Sequence, residues 1–252
     1  MSAPPAPGEG KHVTVITRRF LFMSAIAIIP AAGIGTRMGH ETPKQFLSLD
    51  GIPLFIHTLR KFAAAPSCGE IILGVRREEM DHAQLEITKD GLQNAVRVVE
   101  GGGTRQETVA RALAQASAST EVVLVHDAVR PFVTPDMIAQ IVEAARLNGA
   151  AIFAVPSVDT VKQVEQEMIT GTIPRERIAL AQTPQAFRYG LLREAFDRAL
   201  ADGFQGTDES SLVERLGVNV KVLMGSDRNI KITKPSDLPL ARLFLVQESQ
   251  SD

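Results

Sequence analysis

The sequence has few of the residues that certain chemistries require. Among its 252 residues there is one cysteine, Cys68, which excludes an internal disulfide and a cysteine-rich zinc site. It has no tryptophan and one tyrosine, which argues against stacking on single-stranded nucleic acid. The net charge is only −2, so a phosphate site would need a local cluster of cations. We therefore predict no nucleic-acid partner.

Long apolar runs are also missing, since no stretch approaches the ~20 residues of a membrane span without proline or glycine. We predict no membrane association and, from the lone cysteine, a cytoplasmic location. Residues 1–22 are predicted to be a disordered extension, because Ser2–Gly10 is rich in proline and glycine. Arg18-Arg19 is similar to a twin-arginine export signal, but export would discard the apolar stretch that leads into the best candidate nucleotide loop.

Short apolar runs alternate with helical patterns along the rest of the chain. The runs are Ala25–Ile29, Ile71–Val75, Val96–Val99, Val122–Val125 and Ala151–Val155. One helical stripe follows the cap signal at Thr134, and a second, predicted to be core, consists of Leu191, Leu192, Ala195, Phe196, Ala199 and Leu200. The alternation predicts an α/β fold with a mostly parallel, doubly wound sheet. Ligands of such sheets bind beyond the carboxyl ends of the strands.

One segment, residues 157–182, breaks the alternation, and we call it the arm. Strand-like pieces at Thr160–Val164 and Thr172–Leu180 flank a polar tip at Glu165–Gly171. This pattern predicts a protruding β-hairpin with little apolar face of its own, which is stable only when it packs against something else. A second subunit is the expected partner, so we predict a homodimer formed through the arm.

The first apolar run leads into a glycine-rich loop, Pro30-Ala31-Ala32-Gly33-Ile34-Gly35-Thr36-Arg37-Met38-Gly39, followed by Pro43-Lys44. Small residues let backbone N–H groups turn toward a phosphate, and Arg37 and Lys44 add full positive charges. A dinucleotide-binding fingerprint requires G-x-G-x-x-G, and here Gly39 comes one residue too late. The Walker A pattern needs Gly-Lys-Ser/Thr, which this loop lacks.

Further motifs follow in order: Gly101-Gly102 with Arg105 and Thr108, His126-Asp127-Ala128-Val129-Arg130-Pro131, Asp159-Thr160, Thr183-Pro184-Gln185, Thr207-Asp208-Glu209 and Asn229-Ile230-Lys231. With the first loop they resemble the 2-C-methyl-D-erythritol 4-phosphate cytidylyltransferase family, from about Ala25 to Leu245. That family joins the CMP unit of CTP to a sugar-alcohol phosphate and releases pyrophosphate. The resemblance implies the same activity on a Rossmann-like nucleotidyltransferase domain, which we place at residues 23–252.

The resemblance also implies roles for individual residues. The catalytic cations would be Arg37, Lys44 and Lys231, with Lys231 on a late strand and directed at the α-phosphate. Asp127 would hold Mg²⁺, the expected cofactor. The residues implied to contact CTP are Pro30, Ala31, Ala32, Gly33, Gly35, Gly101, Gly102, Arg105, Thr108, Asp127 and Ala128. Those implied to contact the acceptor are Arg130, Thr160, Arg175 and Thr183, with Thr160 and Arg175 reaching the neighbouring subunit.

Several of these residues have a second interpretation. Asp127 follows the apolar run Val122–Val125 at the end where ligands bind, but it could also cap the following turn. His126 should point away from Asp127 and is expected to be structural. Arg105 could be an exposed arginine at a helix start. Gly103 stands where relatives often have an acidic residue, so that contact with the base must come from backbone or be lost. Thr108 replaces a more usual serine but keeps the hydroxyl.

No pattern indicates a covalent nucleophile, because Cys68 is isolated and no G-x-S-x-G motif occurs. Catalysis by positioning and electrostatics is therefore expected. The nearest alternative is a ribitol-5-phosphate cytidylyltransferase, which acts on a different phosphorylated polyol. A nucleotide-binding module without catalysis and a dinucleotide-dependent oxidoreductase are disfavoured by the combined presence of Arg37, Lys44, Asp127 and Lys231.

Overall fold

The computed structural model describes residues 25–33 and 44–250. The predicted extension at residues 1–22 lies outside this range, as do Gly35 and Arg37. The strands are β1 (Ala25–Pro30), β2 (Ser48–Leu49), β3 (Ile52–Pro53), β4 (Cys68–Val75), β5 (Val96–Glu100), β6 (Val122–Val125), β7 (Ala150–Pro156), β8 (Val161–Glu165), β9 (Met168–Ile173), β10 (Ala179–Arg188) and β11 (Lys221–Met224). The helices are α1 (Leu54–Ala63), α2 (Met80–Lys89), α3 (Arg105–Leu113), α4 (Pro135–Asn148), α5 (Tyr189–Ala201), α6 (Glu209–Glu214) and α7 (Leu238–Ser249).

A seven-stranded sheet forms the centre of the molecule, in the order β11-β7-β10-β6-β1-β4-β5. The five predicted apolar runs all lie in its strands. Those in the interior strands β1, β4, β6 and β7 are mostly buried, because such strands are covered on both faces, whereas β5 is an edge strand and is only partly buried. In the middle of the sheet, Ile28 of β1 pairs with Ile72 of β4 on one side and Val125 of β6 on the other. The predicted mostly parallel fold is confirmed.

Strand β10 is the exception, since it runs antiparallel to both of its neighbours, β6 and β7. Its pairing with β7 shifts register between Gln182 and Gln185. Thr183 and Pro184 therefore form a bulge, a feature that redirects side chains away from regular pairing.

Helices cover both faces of the sheet. On one face, α1, α2 and α4 bury their apolar stripes against the sheet, and on the other face α3, α5 and α6 do the same. Neighbouring residues of β1 divide between the two cores, with Ala27 in the first and Ile28 in the second, as strand alternation requires. This arrangement is the predicted doubly wound architecture.

The two predicted helical stripes fold as helices. The hydroxyl of Thr134 accepts the Met137 N–H at 3.2 Å and caps α4. In α5 the buried side chains include Leu192, Phe196 and Ala199, but the prediction that Leu200 is core is wrong, because this residue is 83% exposed. At about 100° per residue, Leu200 falls beyond the edge of the arc occupied by the buried residues.

The arm contains an exposed two-stranded hairpin formed by β8 and β9. The predicted bounds within the arm are wrong: the turn is at Gln166 and Glu167, so β9 begins at Met168 inside the predicted polar tip, and a short 3₁₀ helix, Arg175–Arg177, interrupts the predicted strand Thr172–Leu180. The last residues of the arm, 179–182, pair with β7 and so belong to the central sheet. Val158, Val164, Met168 and Ile169 are exposed apolar side chains of the arm.

A third, smaller apolar cluster lies around α7. It joins Leu49, Leu54, Val129, Phe132, Ile232 and Ala241. The cluster ties the turn after β6 to the segment before α7. None of the helices within the described residues has the length and apolar character needed to cross a membrane.

Candidate active site

Asp127 lies directly after β6, at the carboxyl end of a strand in the middle of the sheet. Its side chain is buried, and its backbone N–H donates to Thr183 Oγ1 at 3.0 Å. Thr183 belongs to the bulge of β10, so the bulge fixes the turn that carries Asp127. The carboxylate is thereby held beyond the carboxyl ends of the strands, where ligands of this fold class bind.

Three cations surround the Asp127 carboxylate. Lys231 Nζ lies 2.8 Å from Oδ2, and Arg130 Nε lies 3.3 Å from the same oxygen. Arg105 Nε lies 3.4 Å from Oδ1. Burial alone would raise the pKa of Asp127, but Arg105, Lys231 and Arg130 hold that pKa well below its usual range. The carboxylate stays ionised within a positively charged site that suits an anionic ligand.

The predicted strand around Lys231 is wrong, because β11 ends at Met224 and Lys231 lies in an irregular segment before α7. Ile232 anchors this segment: its N–H donates to Val129 O at 2.9 Å, and its side chain is fully buried. The anchored neighbour leaves the ammonium of Lys231 free to reach Asp127. The predicted role of Lys231 at the α-phosphate stays a prediction.

Arg130 is mostly buried. Its Nη1 donates to Asn229 O at 2.7 Å while its Nε faces Asp127. Burial lowers the pKa of Arg130, and the carboxylate of Asp127 opposes this effect. Arg130 thus joins the turn after β6 to the segment that carries Lys231. Its predicted contact with the acceptor stays a prediction.

The first glycine loop leaves β1 at Pro30, and its described part ends at Gly33. The N–H of Ala31 donates to Gly74 O at 2.7 Å. Gln45, which is buried, donates from Nε2 to the carbonyls of both Ala31 and Gly33. Gln45 therefore binds the two ends of the loop together, a role that no local spacing in the sequence predicted.

Three predicted nucleotide contacts of this loop lie wholly or partly outside the described residues. Arg37 and Gly35 lie outside the described residues. Lys44 begins a short 3₁₀ helix, Lys44–Phe46, but its side chain is outside the described part. Their roles stay predictions.

The second glycine loop, Gly101–Gly103, approaches the first. A Cβ on Gly101 would lie 2.7 Å from the Cβ of Ala32, so only glycine permits the two loops to come this close. Thr108 supports the loop from α3, because its Oγ1 accepts the N–H of Gly102 at 3.0 Å. The two loops together form one rim of the site.

Arg105, the first residue of α3, is not an unpaired surface arginine. Its Nη1 donates to both carboxylate oxygens of Glu209, at 2.7 and 2.9 Å, while its Nε faces Asp127. Burial alone would lower the pKa of Arg105, but Glu209 and Asp127 raise it above its usual range. Glu209 belongs to the Thr207-Asp208-Glu209 motif, but its role could not be predicted from the sequence, because its partner lies on a distant part of the chain.

Several motif residues make hydrogen bonds that fix the backbone segments around the site. Nε2 of His126, which is fully buried, donates to Arg130 O across 3.0 Å, and burial lowers the His126 pKa to about 4, in agreement with the expected structural role. The carbonyl of Ala128 accepts the hydroxyl of Thr58 at 2.9 Å. Nδ2 of Asn229 donates to Thr183 O at 2.8 Å, which links the bulge to the segment of Lys231.

The two predicted acceptor residues of the arm lie outside the cluster around Asp127. Thr160 and Arg175 are exposed, and Arg175 Nη1 donates to Val158 O at 3.3 Å. Within the described part of a single chain, neither side chain hydrogen-bonds or ion-pairs with Asp127. Their predicted role in a neighbouring site stays a prediction.

A model of the 2-C-methyl-D-erythritol 4-phosphate cytidylyltransferase family matches residues 25–247. The chain belongs to this family. A relative of that name from Acidobacterium capsulatum is 53% identical over 237 residues, which is 90% of this chain and 99% of the relative. One from Solibacter usitatus is 51% identical over 238 residues, 90% of this chain and 98% of the relative.

Solved structures of 2-C-methyl-D-erythritol 4-phosphate cytidylyltransferases share the fold. The Thermus thermophilus structure of that name is 36% identical, with a TM-score of 0.71 and coverage of 88% of this chain and 98% of that one. The Anaerococcus prevotii 4-diphosphocytidyl-2C-methyl-D-erythritol synthase is 33% identical, with a TM-score of 0.78 and coverage of 88% and 96%. The chain is thus a nucleotidyltransferase of the cytidylyltransferase class, and these names favour the main interpretation over the ribitol-phosphate alternative.

Proposed function

We propose that this cytidylyltransferase transfers CMP from CTP to 2-C-methyl-D-erythritol 4-phosphate, giving 4-diphosphocytidyl-2-C-methyl-D-erythritol and pyrophosphate, in non-mevalonate isoprenoid precursor synthesis. The observation that carries the proposal is the group of three cations around the ionised Asp127, beside two glycine loops. The names of its relatives support the choice of CTP and the acceptor.

The reaction poses a charge problem that the site is suited to solve. A phosphate oxygen of the acceptor must attack the α-phosphorus of CTP while pyrophosphate leaves. Both reactants are anions, and the transition state gathers further negative charge. Lys231 and Arg105 supply positive charge from the described part of the site, and we place Arg37 and Lys44 on the same triphosphate by resemblance. Fixed cations of this kind stabilise the transition state without reorganisation.

Direct transfer is supported by the state of the one thiol. Burial raises the pKa of Cys68 to about 12, which disfavours the nucleophilic thiolate. Cys68 also begins β4, so it lies at the amino end of the sheet, opposite the edge that carries Asp127. An unpaired cysteine also supports the cytoplasmic location that we propose.

Magnesium is the cofactor that we propose, with Asp127 as the residue that would hold it. Within residues 25–33 and 44–250 no group of three or more His, Cys, Asp or Glu side chains is arranged for a metal. Mg²⁺ commonly takes one or two carboxylates and completes its shell with substrate phosphates and water, so a single ionised carboxylate fits it. When bound, the ion neutralises phosphate charge.

The acceptor site is proposed to be shared between two subunits of a homodimer. Thr160 and Arg175 would bind the acceptor phosphate at the partner's site, and the guanidinium of Arg175 suits bidentate contact with a phosphate. The exposed apolar side chains of the arm, including Met168 and Ile169, support a partner that covers them. An isolated two-stranded hairpin is only marginally stable in water.

The test is pyrophosphate release, measured for each of the four nucleoside triphosphates with each of two acceptors, methylerythritol phosphate and ribitol 5-phosphate. We expect release with CTP and methylerythritol phosphate and little with any other pair. Faster release with ribitol 5-phosphate would contradict the proposed acceptor. No acceptor-dependent release with any pair would contradict the proposed function.

A further inference from the structure

Glu209 is an almost fully buried carboxylate whose place is fixed by its neighbours. It is the first residue of α6. The preceding residue, Asp208, caps this helix through the N–H of Ser211 at 3.0 Å, and its other oxygen accepts Nε2 of Gln185 at 2.7 Å. Gln185 lies in β10, so the start of α6 is attached to the central sheet. The backbone of Glu209, the residue after Asp208, is therefore held in a fixed position.

This carboxylate holds one edge of the Arg105 guanidinium. Nη1 of Arg105 donates to both oxygens of Glu209, and Nε faces Asp127. Among the described residues, no hydrogen bond is made by Nη2 of Arg105. The Arg105 side chain is 32% exposed, whereas that of Glu209 is 2% exposed. The free edge of the guanidinium is thus available at the site while Glu209 lies behind it.

Electrostatics alone would make Glu209 unfavourable in a site for polyanions. A buried carboxylate loses solvation, and its negative charge repels a triphosphate. The Arg105–Glu209 ion pair nevertheless lies beside Asp127. The pair joins residues 104 positions apart in the chain, and it does so at the one place where Arg105 also meets Asp127.

We propose that Glu209 is a positioning residue, which holds Arg105 between itself and Asp127 so that Nη2 faces the phosphates of CTP. This inference rests on the proposed function and assigns a role to a further residue of the same site. Without the Glu209 charge, the guanidinium turns toward Asp127 and presents less of its edge to the nucleotide. CTP affinity then falls although a negative charge has been removed.

The experiment compares Glu209→Gln with Asp202→Asn, a matched control that removes a carboxylate from an exposed arginine pair, Arg215–Asp202 at 2.9 Å. CTP binding is measured by calorimetry, and KM for CTP, KM for the acceptor and kcat are measured by pyrophosphate release. We expect Glu209→Gln to weaken CTP binding about tenfold, with little change in KM for the acceptor. The control should bind CTP as the parent does.

A double-mutant cycle with Arg105→Ala separates positioning from general structure. If Glu209 acts through Arg105, Glu209→Gln should have almost no further effect on CTP binding in the Arg105→Ala background. Additive losses in the two variants would overturn the proposal. Unchanged or tighter CTP binding by a folded Glu209→Gln protein would also overturn it, since that is what removal of a repulsive charge alone predicts.

A second variant covers the case in which Glu209→Gln does not fold, as judged by circular dichroism. Glu209→Asp keeps the charge but shortens the reach to Arg105, so we expect weaker CTP binding in a folded protein. Parent-like binding by Glu209→Asp would count against the proposal. These outcomes differ from failure of the proposed function, in which the parent itself would release no pyrophosphate from CTP with either acceptor.

Discussion

The three cations around Asp127 differ in how much of each side chain reaches solvent. The side chains of Lys231 and Arg105 are 34% and 32% exposed, but that of Arg130 is 11% exposed. Arg130 is also bonded to the carbonyl of Asn229. Lys231 and Arg105 can therefore meet a ligand without rearrangement of the fold, whereas Arg130 maintains the shape of the turn.

Loss of a loop cation should slow the reaction. Arg37→Ala and Lys44→Ala are each expected to lower kcat by roughly 10²-fold or more, as loss of a transition-state charge contact does. Melting temperature should change little, because neither residue is predicted to belong to the core. Lys89→Ala serves as control, since Lys89 is an exposed lysine of α2 paired with Glu86. Near-normal turnover in either loop variant would contradict the assigned role.

Removal of the Asp127 charge should alter the need for metal. Asp127→Asn preserves the shape of the side chain but not the charge that we assign to Mg²⁺. We expect lower activity and a magnesium titration shifted to higher concentration, measured by pyrophosphate release. Asp202→Asn should leave the titration in place. An unshifted titration in Asp127→Asn would make Asp127 a structural cap of its turn.

Among the strands of the central sheet, those that could be predicted have continuous apolar runs, such as Val122–Val125. Strand β10 could not be predicted in this way, because its centre, 182–185, contains polar residues and a proline, which are unusual in an interior strand. Gln182 and Gln185 are nevertheless buried, since partners on distant segments satisfy their amides. Such partners are set by the tertiary fold and not by local sequence.

In the site, too, some residues could be predicted from local sequence, whereas others depend on the tertiary fold. Asp127 and Lys231 were predicted from their motifs to share the site, and the structure brings Lys231 Nζ within 2.8 Å of Asp127 Oδ2, while their chemical roles stay predictions. Gln45 and Glu209 could not be assigned roles, because each acts on a residue that becomes its neighbour only after folding. The predicted strand at Lys231 was wrong because flanking isoleucines can anchor an irregular segment as well as a strand.

The contact between α1 and the β2–β3 hairpin should make stability depend on pH. Nε2 of His57, which is buried, donates to Leu49 O at 2.9 Å, and burial lowers the pKa of His57 from 6.5. The unfolded chain therefore takes up a proton first as pH falls through about 6.5, and stability is lost below that pH. The variant His57→Gln, which retains a hydrogen-bond donor, should lose less stability as the pH falls below about 6.5.

Urea denaturation of the parent and of His57→Gln between about pH 5 and 7.5 checks this expectation. The stability difference between the two proteins should change in favour of the variant as the pH falls. A difference that stays constant over this range would contradict the assignment.

In the described chain, two of the four candidate acceptor residues, Thr160 and Arg175, lie on a different part from the candidate catalytic cluster. Asp127 lies at the carboxyl end of the central strand β6, while Thr160 and Arg175 lie on the exposed arm. Exchange of arms in a two-fold dimer would make two equivalent composite sites.

Mixed dimers test that arrangement. Lys44→Ala and Arg175→Ala subunits, each inactive alone, are combined and allowed to exchange. In a mixed dimer one site carries both lesions and the other carries neither. Random exchange puts about half the dimers in that state, so roughly a quarter of the parent activity should return. Two different tags confirm that exchange has occurred. Verified mixed dimers that stay inactive would show that each site is built within one chain.

The antiparallel course of β10 has a consequence for how such a protein can change over time. Pro156, the last residue of β7, pairs with Ala179, the first residue of β10. Residues 157–178 thus connect two adjacent strand ends, which a tight turn could join instead. Insertions at such points vary in length and sequence at small cost to the fold. A lineage can therefore replace this piece, and with it the proposed acceptor contacts of Thr160 and Arg175, while the nucleotide-binding framework is inherited intact.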